Sequence, residues 1–166
     1  MRVYLPGTVS ILRALLETGE LPPPLTGFAV TPTLREWYAS GDIEELEYAA
    51  LSDAARASLR LLDADPLAAR RRVVVVVDVE DGDMRLLGDL DRSAVRVIVP
   101  VTMREIDAVH VDGVDAEGDV RAAAAAILEA ELGSDDAQFV VDGAEGHELA
   151  WYAAQEIGPL LELWPE

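Results

Sequence analysis

The hydrophobic positions of this chain change their period several times, and each change predicts an element. Val73 to Val77 is an unbroken apolar run, set between Arg70-Arg71-Arg72 and Asp78-Val79-Glu80. β-Branched residues lose little by being extended, so a short run with no polar face predicts a strand covered on both sides. Arg2 to Leu5 and Phe28 to Val30 predict shorter strands before it. Val95 to Val99, Ala108 to Asp112 and Gln138 to Val141 predict three more after it.

Helical spacing fills the intervals. Val9, Leu12, Leu15 and Leu16 predict a helix over 8–18, capped by Thr8 and closed by Gly19. Leu21-Pro22-Pro23-Pro24-Leu25 is an extended, stiff crossover. Thr31-Pro32 opens a short helix through Leu34, Trp37 and Tyr38, closed by Ser40-Gly41. Asp42 opens another over 43–62, continuous or re-capped at Ser52-Asp53. Residues 81–91 make a polar, turn-rich connection, and Thr102 with Glu105 caps a single turn. The alanine-rich 119–132 segment predicts a strong helix. Asp142 and Glu145 form a capping box for a last helix to about Ile157, whose Leu149, Ala153 and Ile157 recur every fourth residue. Leu160 to Trp164 is then an apolar tail, suited to the protein's own core, a second copy or a partner.

The resulting order is β-α-β-α(α)-β-β-β-α-β-α. It predicts a single globular α/β (α+β) domain over residues 1–166, with helices packed on a mixed sheet of about five to six strands. Helices between strands favour parallel pairs, and the closely spaced middle strands favour antiparallel ones.

Charge changes the picture more than overall composition does. Thirty-two acidic residues stand against 13 basic ones, a formal net charge of −19. Such a surface repels phosphate backbones and anionic lipids, which argues against nucleic-acid and membrane partners. It suits solubility, or docking on a basic protein. Without cysteine there is no disulfide, thiolate nucleophile or cysteine metal site. Every basic residue is arginine and both lysine and asparagine are absent, a bias that matches GC-rich coding. No signal-peptide pattern or membrane-length apolar run occurs, so a cytoplasmic location is expected.

Several phrases occur together in one setting. They are Met1 to Pro6, Phe28-Ala29-Val30-Thr31-Pro32 with Arg35-Glu36-Trp37-Tyr38, Glu45 to Ala50, Ala108 to Asp112, and Asp142 to Tyr152. As a set they resemble a family of short actinobacterial proteins classed as a domain of unknown function, across essentially the whole chain. The resemblance implies a bacterial cytoplasmic protein. It implies no substrate, cofactor or catalytic residue.

Three constellations offer chemistry. In the first, His147 and Glu148 open the expected last helix, with Trp151 and Gln155 on the His147 stripe. A histidine beside carboxylates suits a general base or a metal ligand, although capping and core packing explain the same residues. In the second, His110 alternates with Asp112 on one strand; joined to His147 and Glu148 they would make a metal set, if the segments meet. In the third, Arg35, Trp37 and Tyr48 stand among Glu44, Glu45 and Glu47. They suit an anionic or planar ligand, or else a packed core with Arg35 paired to a carboxylate. Arg70-Arg71-Arg72, the one basic run, reads as neutralised by nearby carboxylates or as a guard before an aggregation-prone strand. No phosphate loop, dinucleotide fingerprint, zincin helix or nucleophile elbow is present.

These observations favour a non-catalytic cytoplasmic interaction or regulatory domain with an acidic surface and no cofactor or metal, acting through a protein partner or self-association. The alternative is a small metal-dependent or acid/base hydrolase using His147 and Glu148.

Overall fold

A computed structural model describes residues 1–38 and 41–164. Its elements in chain order are β1 (Arg2–Gly7), α1 (Val9–Thr18), β2 (Glu20–Leu21), β3 (Leu25–Ala29), α2 (Pro32–Trp37), α3 (Ile43–Ala64) and β4 (Val73–Asp78). They continue as β5 (Met84–Leu86), β6 (Ala94–Val97), β7 (Val101–Thr102), β8 (Ile106–Val111), α4 (Glu117–Glu131), α5 (Asp135–Glu145), β9 (Ala150–Ala153) and α6 (Ile157–Leu163). Seven strands form one sheet in the order β5-β6-β3-β1-β4-β8-β9, and β2 pairs with β7 separately.

The α/β class holds, and the valine run is the strand it was expected to be. β4 lies between β1 and β8. Val73, Val75 and Val77 join a core with α1 and α6, while Val74 and Val76 face α3. The period of two along a strand divides the five valines between two buried faces. The α3 side uses small residues, Ala50, Ala54, Ala55 and Ala57, which let the helix lie close to the sheet. α3 is continuous through Ser52-Asp53, and beyond the sheet Leu59 and Leu62 pack with α4 and α5.

The pairing differs from expectation: every strand pair is antiparallel. The crossovers here lead to antiparallel neighbours, so helices between strands did not impose parallel pairing. A larger difference lies between residues 134 and 157. Gln138 to Val141, expected as a strand, falls inside α5. Ser134 caps that helix by accepting from the Ala137 amide, and Ala137, Val141 and Ala144 form its buried stripe against α4. Asp142 and Glu145 therefore end a helix rather than begin one. The chain turns at Gly146 to Leu149 and re-enters the sheet as β9, where Trp151 and Tyr152 have good strand propensity. The shared stripe of His147, Trp151 and Gln155 does not exist. The expected stop at Ser40 lies outside the described residues.

The arginine run is not a solvent-facing guard. Arg70 donates to the carbonyls of Leu62 and Asp65 at the end of α3. Arg71 donates to the Asp112 carbonyl and lies over the Trp164 ring, 4.7 Å from its centroid. Arg72 makes a two-pronged ion pair with Asp112, Nε to Oδ2 and Nη2 to Oδ1 both at 2.8 Å, with 3% and 0% of the two side chains exposed. The expected neutralisation by a carboxylate is thus met inside the protein. The apolar tail docks on its own chain: Leu160 and Leu161 are buried in α6, and Arg13 of α1 donates to the Leu161 and Trp164 carbonyls.

Candidate functional site

The sheet is wider than its cover on the α3 side. Seven strands spaced about 4.8 Å apart span roughly 29 Å, whereas one helix with its side chains is about 10 Å across. α3 shields the middle and leaves the β8–β9 flank open. Register determines what that flank shows. Val74 pairs with His110, and His110 pairs with Trp151, so both place their side chains on the α3 face.

Three hollows border α3 and meet at Tyr48. One of about 450 Å³ holds Tyr4, Glu47, Tyr48, Leu51, His110 and Trp151 over the sheet flank. A second, of about 630 Å³, runs towards the α5–β9 turn and adds Arg72, His147, Glu148 and Leu149. A third, of about 710 Å³, lies between α2 and α3, with Trp37, Tyr38, Asp42, Glu44, Glu45, Asp53, Asp91 and Arg92 on its walls. His110 belongs to the first two, and Tyr48 to all three.

The structure thus brings His110, His147, Glu148, Tyr48 and Trp151 along one side of α3. It places Trp37 across Tyr48 on the other side, and leaves Arg35 exposed and outside these hollows. Trp37 and Tyr48 are not core residues; each is 61% exposed. An anionic ligand for this cluster meets the wrong charge, since the walls around Tyr48 carry mostly carboxylates.

His147 Nε2 lies 2.8 Å from Asp119 Oδ2 in the first turn of α4, and its carbonyl accepts from Arg72 at 2.9 Å. These contacts pin the α5–β9 turn. Among the described residues no serine or threonine hydroxyl bonds to the ring. His110 is half-buried and makes no side-chain hydrogen bond among the described residues. Burial lowers its pKa from the ordinary histidine value and keeps the ring neutral at pH 7. Its nitrogens are one donor and one acceptor facing the hollows. Burial also raises the Asp53 carboxyl; the bond from Ser93 opposes that shift, and the charge of Asp91 adds to it.

The conditional metal set of His110, Asp112, His147 and Glu148 is not assembled. Asp112 lies past the end of β8 with both oxygens committed to Arg72. Among the described residues no three of His, Asp and Glu gather closely enough to hold a metal ion. Sequence reasoning missed the part played by Asp53, Asp91 and Arg92. Arg92 stacks over the Trp37 ring at 3.5 Å from its centroid, a contact between distant segments with no local signal.

A family model described as a family of unknown function (DUF6912) matches residues 1–161. Neither curated proteins nor solved structures give a match.

Proposed function

The chain belongs to the DUF6912 family, and we propose that it is a non-catalytic cytoplasmic interaction domain that receives a basic segment of a protein partner along α3. One observation carries the reading: three adjoining hollows converge on an exposed tyrosine, with aromatic side chains in their walls and carboxylates at their rims. Tyrosine and tryptophan left in water at the centre of a concave face are the side chains that contribute most to protein contacts. The surrounding acids, in a chain of net charge −19, favour a basic partner and speed its approach. No helix among the described residues is long and apolar enough to cross a membrane.

The hydrolase reading draws less support. Among the described residues its metal-dependent form finds no three ligands together, and in its acid/base form His147 is bonded to Asp119, with Glu148 on the wall of the same hollow.

Titration of the full chain with a short arginine- and lysine-rich peptide, beside a glutamate-rich peptide of equal length, tests the docking reading. The basic peptide should bind at physiological salt, and Tyr48→Ala should weaken it by about tenfold, as expected for a central interface residue. Equal affinity in the wild type and the Tyr48→Ala variant would defeat it.

A further inference from the structure

The hollow between α2 and α3 gathers more carboxylates without a cationic partner among the described residues than either of the other two. Asp42 accepts from the Glu45 amide and Asp53 from the Ser93 hydroxyl. Glu44, Glu45 and Asp91 have no cationic partner among the described residues. Arg92 is the one basic side chain on these walls, and its guanidinium carbon lies over the Trp37 ring, with no carboxylate partner among the described residues. The walls therefore combine a surplus of negative charge with three exposed aromatic rings, Trp37, Tyr38 and Tyr48.

We propose that this hollow is a recognition pocket for a guanidinium, the side chain of an arginine carried by the docked segment. A planar, weakly hydrated guanidinium stacks on aromatic faces and offers its edge donors to carboxylates at the same time. An ammonium is more strongly hydrated and cannot present a flat face. Arg92 shows in this structure that Trp37 accepts a guanidinium on its ring. It follows that Arg92 competes with an incoming arginine for charge and for ring surface.

The inference rests on the docking reading and can fail apart from it. The test is titration of the full chain with N-acetyl-arginine amide and, in parallel, N-acetyl-lysine amide at physiological salt, followed through backbone amide shifts of α2 and α3. The arginine compound should bind more tightly and move amides around Trp37. Trp37→Leu should weaken it by about two- to fivefold, the size of a cation–π contact at an exposed ring. Glu44→Gln should weaken it too, and Arg92→Ala should tighten it. Trp37 is mostly exposed, so its replacement is not expected to unfold the chain. Equal binding of the two compounds, or affinity unchanged in Trp37→Leu, would overturn the pocket. If arginine amide binds at Trp37 while the basic peptide ignores Tyr48, the pocket stands and the docking reading falls.

Discussion

The two ends of α3 treat charge in opposite ways. Towards its C-terminus acids and bases are matched: Arg56 meets Glu131 and Glu145, Arg60 meets Glu131, and nearby Arg72 is locked to Asp112 out of water. Towards its N-terminus Glu47 is paired with Arg2, but Glu44 and Glu45 have no cationic partner among the described residues and stand beside exposed aromatic rings. At the first end the charges join α3 to α4 and α5, and Arg72–Asp112 ties β4 to the end of β8. At the second they do little for the fold and are left for a partner to answer. A surface ion pair is worth about 0–1 kcal/mol, whereas breaking a buried pair costs several times more. Changes at the two ends should therefore appear in different measurements.

The largest effect is expected at the buried pair. Arg72→Met leaves Asp112 charged and unpaired inside the protein and should cost about 3–5 kcal/mol in chemical denaturation. Replacing both residues, Arg72→Met with Asp112→Leu, should recover much of that loss, because no orphan charge remains. If Arg72→Met changes stability by less than a surface substitution does, the clamp is not what joins the α5–β9 turn to the sheet.

A smaller effect concerns His110. Its folded pKa lies below the unfolded value, so the unfolded chain binds the proton more readily. The stability from the neutral ring is fully present above the unfolded value of about 6.5 and is lost as pH falls through the folded pKa. His110→Gln should lose less stability than the wild type between pH 7.5 and pH 5. The gap between them should open only below about pH 6.5. Parallel curves would show that the ring is not held neutral by burial.

The smallest effect on stability is expected where the proposed effect on binding is large. Glu44→Gln with Glu45→Gln should shift unfolding by no more than about 0.5 kcal/mol, as surface changes usually do. The same variant should lower affinity for a basic peptide and flatten its salt dependence. A stability loss as large as that of Arg72→Met would mean that these acids also serve the fold.

The valine strand was legible from its unbroken β-branched run, and α1 and the start of α3 from an apolar period with a cap, Thr8 and Asp42; the continuity of α3 past Ser52-Asp53 was left open by the sequence. The segment from 134 to 157 was not, for a definable reason. Gln138-Phe139-Val140-Val141 has local strand propensity, and only burial of Val141 and Ala144 against α4 makes it helical. In the same way, Asp142 and Glu145 have capping-box spacing, yet Ser134 supplies the cap that is used. His110, His147, Tyr48 and Trp151 could be named from the sequence. Their meeting along α3 depends on the β4–β8–β9 register, which no short window contains. The contrast between Arg72 and Arg92 was equally hidden, since both depend on partners about 40 and 55 residues away.

The most direct test of the docking face is an amide chemical-shift map of the full chain during titration with an arginine-rich peptide. The shifts should cluster on α2, the first half of α3 and the β8–β9 flank, with the Trp37 and Trp151 indoles among the largest. The α1–α6 side of the sheet should remain still. Shifts scattered evenly over the acidic surface, or centred on α4 and α5, would contradict the assignment of this face.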